Sequence, residues 1–175
     1  MKKFLTLLAL VAASLLSAAS LHLDKGYIRA HTEVFGDSSI DPATSRVHAS
    51  LSVASDPASL HGTVWIRAKD LRSDNHKRDE HMYEAMAVKK YPKIRFTIAK
   101  VRRQGSAYLI EGTLTLHGTS RRLKIPAKIV RKGKTLELRS RFRILMSDYG
   151  IQPPKLMFLT VRDAVDITVY LRLHR

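Results

Sequence analysis

The chain has 175 residues, no cysteine, and 31 Lys and Arg against 15 Asp and Glu, for a formal net charge of +16. Without cysteine there is no disulfide framework and no thiolate metal site, so the fold must rest on burial alone. The basic surplus points to anionic partners, whether nucleic acid, phospholipid headgroups or acidic polysaccharide.

The sequence opens on Met1-Lys2-Lys3, then an apolar run from Phe4 to Leu16 and small residues from Ser17 to Ser20. A basic start, an apolar stretch and a small-residue cleavage point make a secretory leader over residues 1–20, cut near Ala19 or Ser20. The run falls short of the roughly 20 residues a spanning helix needs, and no cysteine follows it for lipid attachment. Cleavage removes Lys2 and Lys3 and leaves residues 21–175 as one domain of about 155 residues. Export to a bacterial periplasm takes nucleic acid off the list of partners and keeps anionic membrane surfaces on it.

Tyr27 to Phe35 and Arg46 to Val53 read as strands, split by the turn-rich segment Gly36 to Pro42. Ser59 to Leu71 is a third, with Val64, Ile66 and Ala68 on one parity and Thr63, Trp65, Arg67 and Lys69 on the other, so Trp65 falls on the wet face. From Ser73 to Met86, Asp and Asn offer a helix cap, and Met82 and Met86 lie one turn apart, which predicts a short helix. After Tyr91-Pro92, alternation restarts with Ile94, Phe96 and Ile98.

From Gly105 onward the same pattern is written four times. Its apolar sets are Tyr108, Ile110, Leu114 and Leu116; Leu123, Ile125, Ala127 and Ile129; Leu136, Leu138, Phe142 and Ile144; and Val165, Ile167, Val169, Leu171 and Leu173. Side chains on a strand point to opposite faces in turn, so each run has one oily and one wet face. Eight such strands predict a mainly all-β fold, an eight-stranded antiparallel barrel whose interior is either packed core or a container for one small ligand. Between the last two strands, Ser147 to Thr160 carries Pro153-Pro154 and an apolar cluster, Leu156 to Leu159, that either gates the mouth or seals the core.

Several fragments resemble the YceI-like family: Asn75, Arg78-Asp79 and His81-Met82; Tyr91 to Phe96; Gly112 to Arg121; Ser147-Asp148-Tyr149-Gly150; and Val161 to Ile167. Their order and spacing cover most of the chain after the leader. The resemblance implies a lipocalin-like periplasmic barrel with an apolar tail, polyisoprenoid or related, threaded into its lumen, and it implies no catalysis. The chain departs from the family pattern at Leu145-Met146, where an Asn-Arg pair is usual, and in the opening strand His31 to Gly36. Different head-group contacts follow from these departures.

The candidate lumen residues are Phe96, Leu114, Leu116, Leu123, Ile125, Phe142, Ile144, Met146, Phe158, Ile167 and Val169, apolar side chains suited to an alkyl chain that offers no hydrogen bonds. The motif residues Asn75, Arg78, Asp79, His117 and Asp148 are candidates for a polar mouth. The expected function is binding of a polyisoprenoid, isoprenoid quinone or fatty-acid-like lipid for transport, storage or sequestration. The alternative is a packed barrel whose basic stripe from Arg121 to Arg143 binds an anionic membrane surface or a protein partner. Catalysis finds little support. His76 and His81 have no His-Glu-x-x-His spacing, Ser120 lacks a Gly-x-Ser-x-Gly elbow, and Asp79-Glu80 and Asp163/Asp166 sit beside Arg78 and Arg162 as ion pairs do. An acid–base role for Asp79, His81 or His117 is the weaker third reading. No metal and no resident cofactor are expected, and monomer and homodimer both stay open.

Overall fold

The computed structural model describes residues 18–34, 38–156 and 159–175. Most of the proposed leader, together with Phe35, Met157 and Phe158, lies outside the described residues. Eight long strands run β1 (Ala19–Val34), β2 (His48–Val53), β3 (His61–Arg67), β4 (Lys93–Gln104), β5 (Ala107–Leu116), β6 (Thr119–Lys132), β7 (Thr135–Leu145) and β8 (Ala164–His174). Each pairs antiparallel with the next, and β8 pairs with both β7 and β1, which closes the barrel. Among the described residues one α-helix, α1 (His76–Ala85), lies between β3 and β4.

Period-two alternation accounts for these strands. On β5 every even residue from Tyr108 to Leu116 is buried and every odd one is partly exposed. β5 turns into β6 through His117-Gly118, both with positive φ (51° and 74°), the backbone of a tight hairpin. Two irregularities shift parity. Between Leu23 and Lys25 on β1 the inward set passes from Leu21 and Leu23 to Gly26, Ile28, Ala30 and Thr32. Between Ile98 and Lys100 on β4 it passes from Ile98 to Val101. Each has the form of a bulge, which adds one residue and bends the strand.

The first strand starts at Ala19, well before Tyr27, and Ala19 to Leu21 pair with Val53 to Leu51. The turn-rich segment contributes Ser38–Ile40, which folds back on Thr32 to Val34, and Ala43–Thr44, which pairs with Ile28 and Arg29. The strand expected over Ser59 to Leu71 is shorter, flanked by 3-10 turns at Pro57–Ser59 and Ala68–Asp70. Asp56 caps the first turn through Ala58 N–H (2.9 Å). Asp70 ends the strand because its buried carboxylate accepts from Arg67 Nε (2.9 Å) and Arg46 (3.3 Å). Trp65 points outward as its parity predicts, stacked on His48 at 3.9 Å and capped by Lys93 at 4.6 Å.

The interior divides along the barrel axis. At the end where β1 and β5 begin, Leu51, Val53, Leu60, Ile110, Leu136, Leu171 and Leu173 form a densely buried core. That end is closed by guanidinium groups: Arg131 donates to Ala54 O (3.0 Å) and to Ser55 O, and Arg175 donates to Val53 O (2.7 Å) and to Ala54 O. At the opposite end a smaller cluster, Leu114, Leu116, Ile144, Tyr149, Ile151 and Val165, lines the wall instead of filling the space.

Candidate functional site

Inward positions of a packed barrel are buried; several here are not. Ile94 and Phe96 on β4, Phe142 on β7, Ile167 on β8 and Ile28 and Ala30 on β1 all have inward parity yet keep partial exposure. They face a cavity of about 200 Å³ in the half of the barrel nearest α1. Ile94, Phe96 and Phe142 touch both the dense core and the wall cluster, so they form the floor. The Phe96 ring reaches this place because Gly112 has no side chain. A Cβ there would lie 2.5 Å from Phe96 Cζ.

The walls come from Leu114 and Leu116 (β5), Ile144 (β7), Val165 and Ile167 (β8) and Ile28, Ala30 and Thr32 (β1). The roof is the inner face of α1, with Met82, Ala85 and Met86, joined by Ile40, Pro42, Met146, Ile151, Pro154 and Val161. Among the described lining residues only Thr32, Arg78 and His81 carry polar side-chain groups. The Thr32 hydroxyl donates to the carbonyls of Arg162 and Ala164 (both 3.0 Å), so its hydrogen-bonding demand is met within the wall. Arg78 and His81 stand on α1; Arg78 makes a long contact to Ser39 O (3.4 Å), and His81 lies 3.9 Å from Glu84. An apolar space with charge confined to one helix suits a hydrocarbon tail with a polar head.

Of the residues expected to line the lumen, Phe96, Leu114, Leu116, Phe142, Ile144, Met146 and Ile167 surround this cavity. Ile125 is buried in the dense core, and Val169 packs against that core. Leu123 packs against both clusters without reaching the space. These three have the right parity and the wrong height. Phe158 lies outside the described residues.

Of the motif residues only Arg78 borders the cavity; the others hold the backbone. Asn75 caps α1 by accepting from Arg78 N–H (3.1 Å). Asp79 is buried, and its Oδ1 accepts from Ser73 N–H (2.9 Å) and Ser73 Oγ (2.8 Å). His117 Nδ1 pairs with Tyr149 O (3.0 Å), and Asp148 offers its backbone carbonyl to Arg121 (2.9 Å). Among the described residues no three His, Asp or Glu side chains gather as metal ligands.

Sequence parity does not pick out Ile28, Ala30 and Thr32 as a site, because a small and a polar residue on that face do not read as an oily set. Nor does it assign Met82, Ala85 and Met86 to a site, although the two Met residues share a helix face.

Two electrostatic features adjoin the cavity. His31 pairs with Asp41 (2.8 Å), beside the lining residues Ile40 and Pro42, and this hydrogen bond raises the His31 pKa above its ordinary value despite partial burial. Outside, the chain Glu33–Arg162–Asp166–Arg143 links β1, β8 and β7. Tyr149 is buried and its hydroxyl has no partner among the described residues; burial, with Asp148 nearby, pushes its pKa up to about 12. On the outer face of β6 and β7, Arg122, Lys124, Lys128 and Arg141 have no carboxylate partner among the described residues, whereas Arg139 and Arg143 do.

Comparison with known proteins agrees with this architecture. A family model described as the YceI-like domain matches residues 22–173. A UPF0312 protein of Photorhabdus laumondii is 30% identical over 81 residues, covering 45% of this chain and 42% of that protein. Protein YceI of Escherichia coli O157:H7 is 27% identical over 105 residues, 55% of each. The matched stretches thus span about half the length of these curated relatives. Among solved structures, Burkholderia cenocepacia BcnA superposes with a TM-score of 0.75 at 18% identity, covering 84% of this chain and 95% of that one. A polyisoprenoid binding domain from Saccharophagus degradans superposes with a TM-score of 0.70 at 13% identity, covering 89% and 97%. At these identities the structures speak to the fold.

Proposed function

The chain belongs to the YceI-like family, and from that premise we propose that its barrel holds the apolar tail of a long-chain amphiphilic lipid. The class is a polyisoprenoid, an isoprenoid quinone or a fatty-acid-like molecule. The observation that carries this reading is the hydrocarbon-lined hollow of about 200 Å³ with its cationic and imidazole groups, Arg78 and His81, confined to α1. Each methylene moved from water into such a space contributes about 0.8 kcal/mol. A polar head then rests at α1, where Arg78 offers hydrogen bonds to an anionic or carbonyl group. The name of the Saccharophagus degradans domain supports the same ligand class. With the leader over residues 1–20, the place of action is the periplasm and the task is transport, storage or sequestration, with binding and no chemical conversion.

Native mass spectrometry of protein purified from its periplasm tests the reading. A co-purifying hydrophobic mass is expected, absent from the Phe142→Asp variant and retained in an Arg122→Glu/Lys124→Glu variant. A protein that arrives empty and takes up no added isoprenoid refutes it. A second reading has its own observation: the unpartnered cations Arg122, Lys124, Lys128 and Arg141 form a patch attractive to anionic membranes. Salt-sensitive binding to anionic liposomes that survives Phe142→Asp and is lost on the charge reversal is its signature.

A further inference from the structure

We propose that the outer wall formed by β1, β8, β7 and β6 is a docking track for an acidic polysaccharide, a chain of sugar rings with one carboxylate per ring. The track lies on the face of the sheet turned away from the lumen, so it stands independently of the tail-binding reading.

The strand registers place its side chains. Tyr27 pairs with Tyr170, Tyr170 with Arg139 and Arg139 with Lys128, one outward residue from each of four adjacent strands. Two residues nearer the α1 end, Arg29 pairs with Thr168 and Thr168 with Arg141 on the same face. Neither row contains a carboxylate. Arg29 reaches Asp41 only at 3.9 Å and Arg139 reaches Glu137 at 3.7 Å, while Lys25, Lys128 and Arg141 have no carboxylate partner among the described residues. Lys128 and Arg139, both exposed, stand directly opposite each other. Such a like-charge pair destabilises a sheet, and a bound anion relieves it.

Charge alone suits any polyanion; the aromatic residues and the spacing select a sugar chain. Tyr27 is 37% exposed, and its cross-strand neighbour Tyr170 carries the Arg139 guanidinium 4.9 Å from its ring centre. Aromatic rings give the C–H face of a pyranose an apolar surface to pack on, which a phospholipid headgroup or a polyphosphate does not use. Adjacent strands stand about 4.7–4.9 Å apart, close to the length of one sugar ring in an extended chain. A chain crossing the strands therefore meets a new side chain at each ring. Cations edge it on both sides, Arg139 and Lys128 in one row and Arg29 and Arg141 in the other, and a guanidinium fork matches a carboxylate in two hydrogen bonds. The wall also dips here: two shallow hollows share Arg141 and Thr168. A single chain lies in such a dip, whereas a flat bilayer meets its rim.

The test is calorimetric titration at low salt with a mannuronate hexamer, beside a glucose hexamer, an inorganic polyphosphate of matching charge and phosphatidylglycerol vesicles. The mannuronate hexamer should bind, more tightly than the polyphosphate, and the glucose hexamer should not. Tyr27→Ala/Tyr170→Ala keeps every charge and should weaken mannuronate binding about tenfold or more, with polyphosphate and vesicle binding unchanged. Tyr27→Ala alone alters only an exposed ring and should give about a fivefold loss. Arg139→Gln/Arg141→Gln should abolish mannuronate binding. A polyphosphate that binds as tightly as the mannuronate hexamer, or tyrosine variants that bind the hexamer as the wild type does, overturns the track in favour of plain attraction to polyanions or anionic membranes. Absence of mannuronate binding overturns it outright.

Discussion

Asp79→Ala isolates the part of the structure that closes the site. Asp79 faces away from the cavity, yet its carboxylate accepts both hydrogen bonds that fasten α1 to Ser73. Further bonds at the helix are the Asn75 cap, the long contact of Arg78 to Ser39 O (3.4 Å), and those of the Tyr83 hydroxyl to Leu71 O (2.7 Å) and Lys69 O (3.1 Å). A ten-residue helix is marginal by itself in water, so its stay over the lumen depends on these bonds together with the packing of Met82, Ala85 and Met86. Bonds to a charged group contribute about 1.5–3 kcal/mol each, and their loss also strands the Ser73 N–H. Taking ~3 kcal/mol in all, the open population of α1 rises by a factor of about 150. Hydrogen exchange with mass spectrometry should show amides of α1 exchanging on the order of 100-fold faster, with β5 amides around Ile110 unchanged. The release rate of a bound tail should rise in step. Asn75→Ala, worth about 1 kcal/mol, should produce about a fivefold effect of the same kind. Equal loss of protection on β5, or an unchanged release rate, refutes the view that the motif acts by holding a roof.

Three further outcomes follow from the electrostatics. Tyr149→Phe removes a buried hydroxyl that has no partner among the described residues; because such a group costs about 1–3 kcal/mol, the variant should melt a few degrees higher, and a lower Tm would mean the hydroxyl is satisfied in solution. His31 has a folded pKa above its unfolded 6.5, raised chiefly by Asp41, so its stabilisation of the segment carrying Ile40 and Pro42 is complete below that pH. It fades as pH rises through the folded value; amide protection of Ile40 and Asp41 should fall over that window, and His31→Gln should abolish the pH dependence. Burial alone would raise the Asp70 pKa, but Arg67 and Arg46 outweigh it and hold it below 3.8. Its contribution is therefore present above that pH and lost as pH falls through the folded value. Asp70→Asn should cost stability at pH 7 and flatten the acid limb of a Tm–pH curve.

The four later strands were legible because their alternation runs unbroken, and β5 is buried on every second residue as written. The first was legible only from Tyr27 onward. A parity shift at Asp24 separates that part from the start of the strand, where Ala19 to Leu21, which pair with β2, look like the end of a leader. The third strand reads too long from the sequence because Ala68 and Leu71 are apolar, whereas Asp56-Pro57 and Asp70 set its limits through local hydrogen bonds. The same distinction governs the site. Parity tells inside from outside and carries no information about height along the axis, so Ile125 and Val169 could not be told from Ile144 and Ile167. Polar motif residues stood out by type, but Asn75, Asp79 and His117 spend their hydrogen bonds on nearby backbone, and only three-dimensional proximity reveals that.

Why one half is hollow can be argued from side-chain size. Toward the closed end, inward positions carry Leu21, Leu23, Tyr108, Ile110, Leu136, Leu138, Leu171 and Leu173, and these large side chains from four of the strands pack into one core. Toward α1, β1 presents Ala30 and Thr32 inward, the latter with its hydroxyl held by the wall, and the roof presents Ala85. The opposing Leu114, Ile144 and Ile167 are no larger than their counterparts below, so nothing crosses the gap that the small residues leave. Phe96 and Phe142 stand where the two regimes meet. A void in a core has a cost, and under the tail-binding reading an apolar guest offsets it. Small residues on β1 and the roof, with aromatic rings at mid-height, are thus what leave this half of the barrel open.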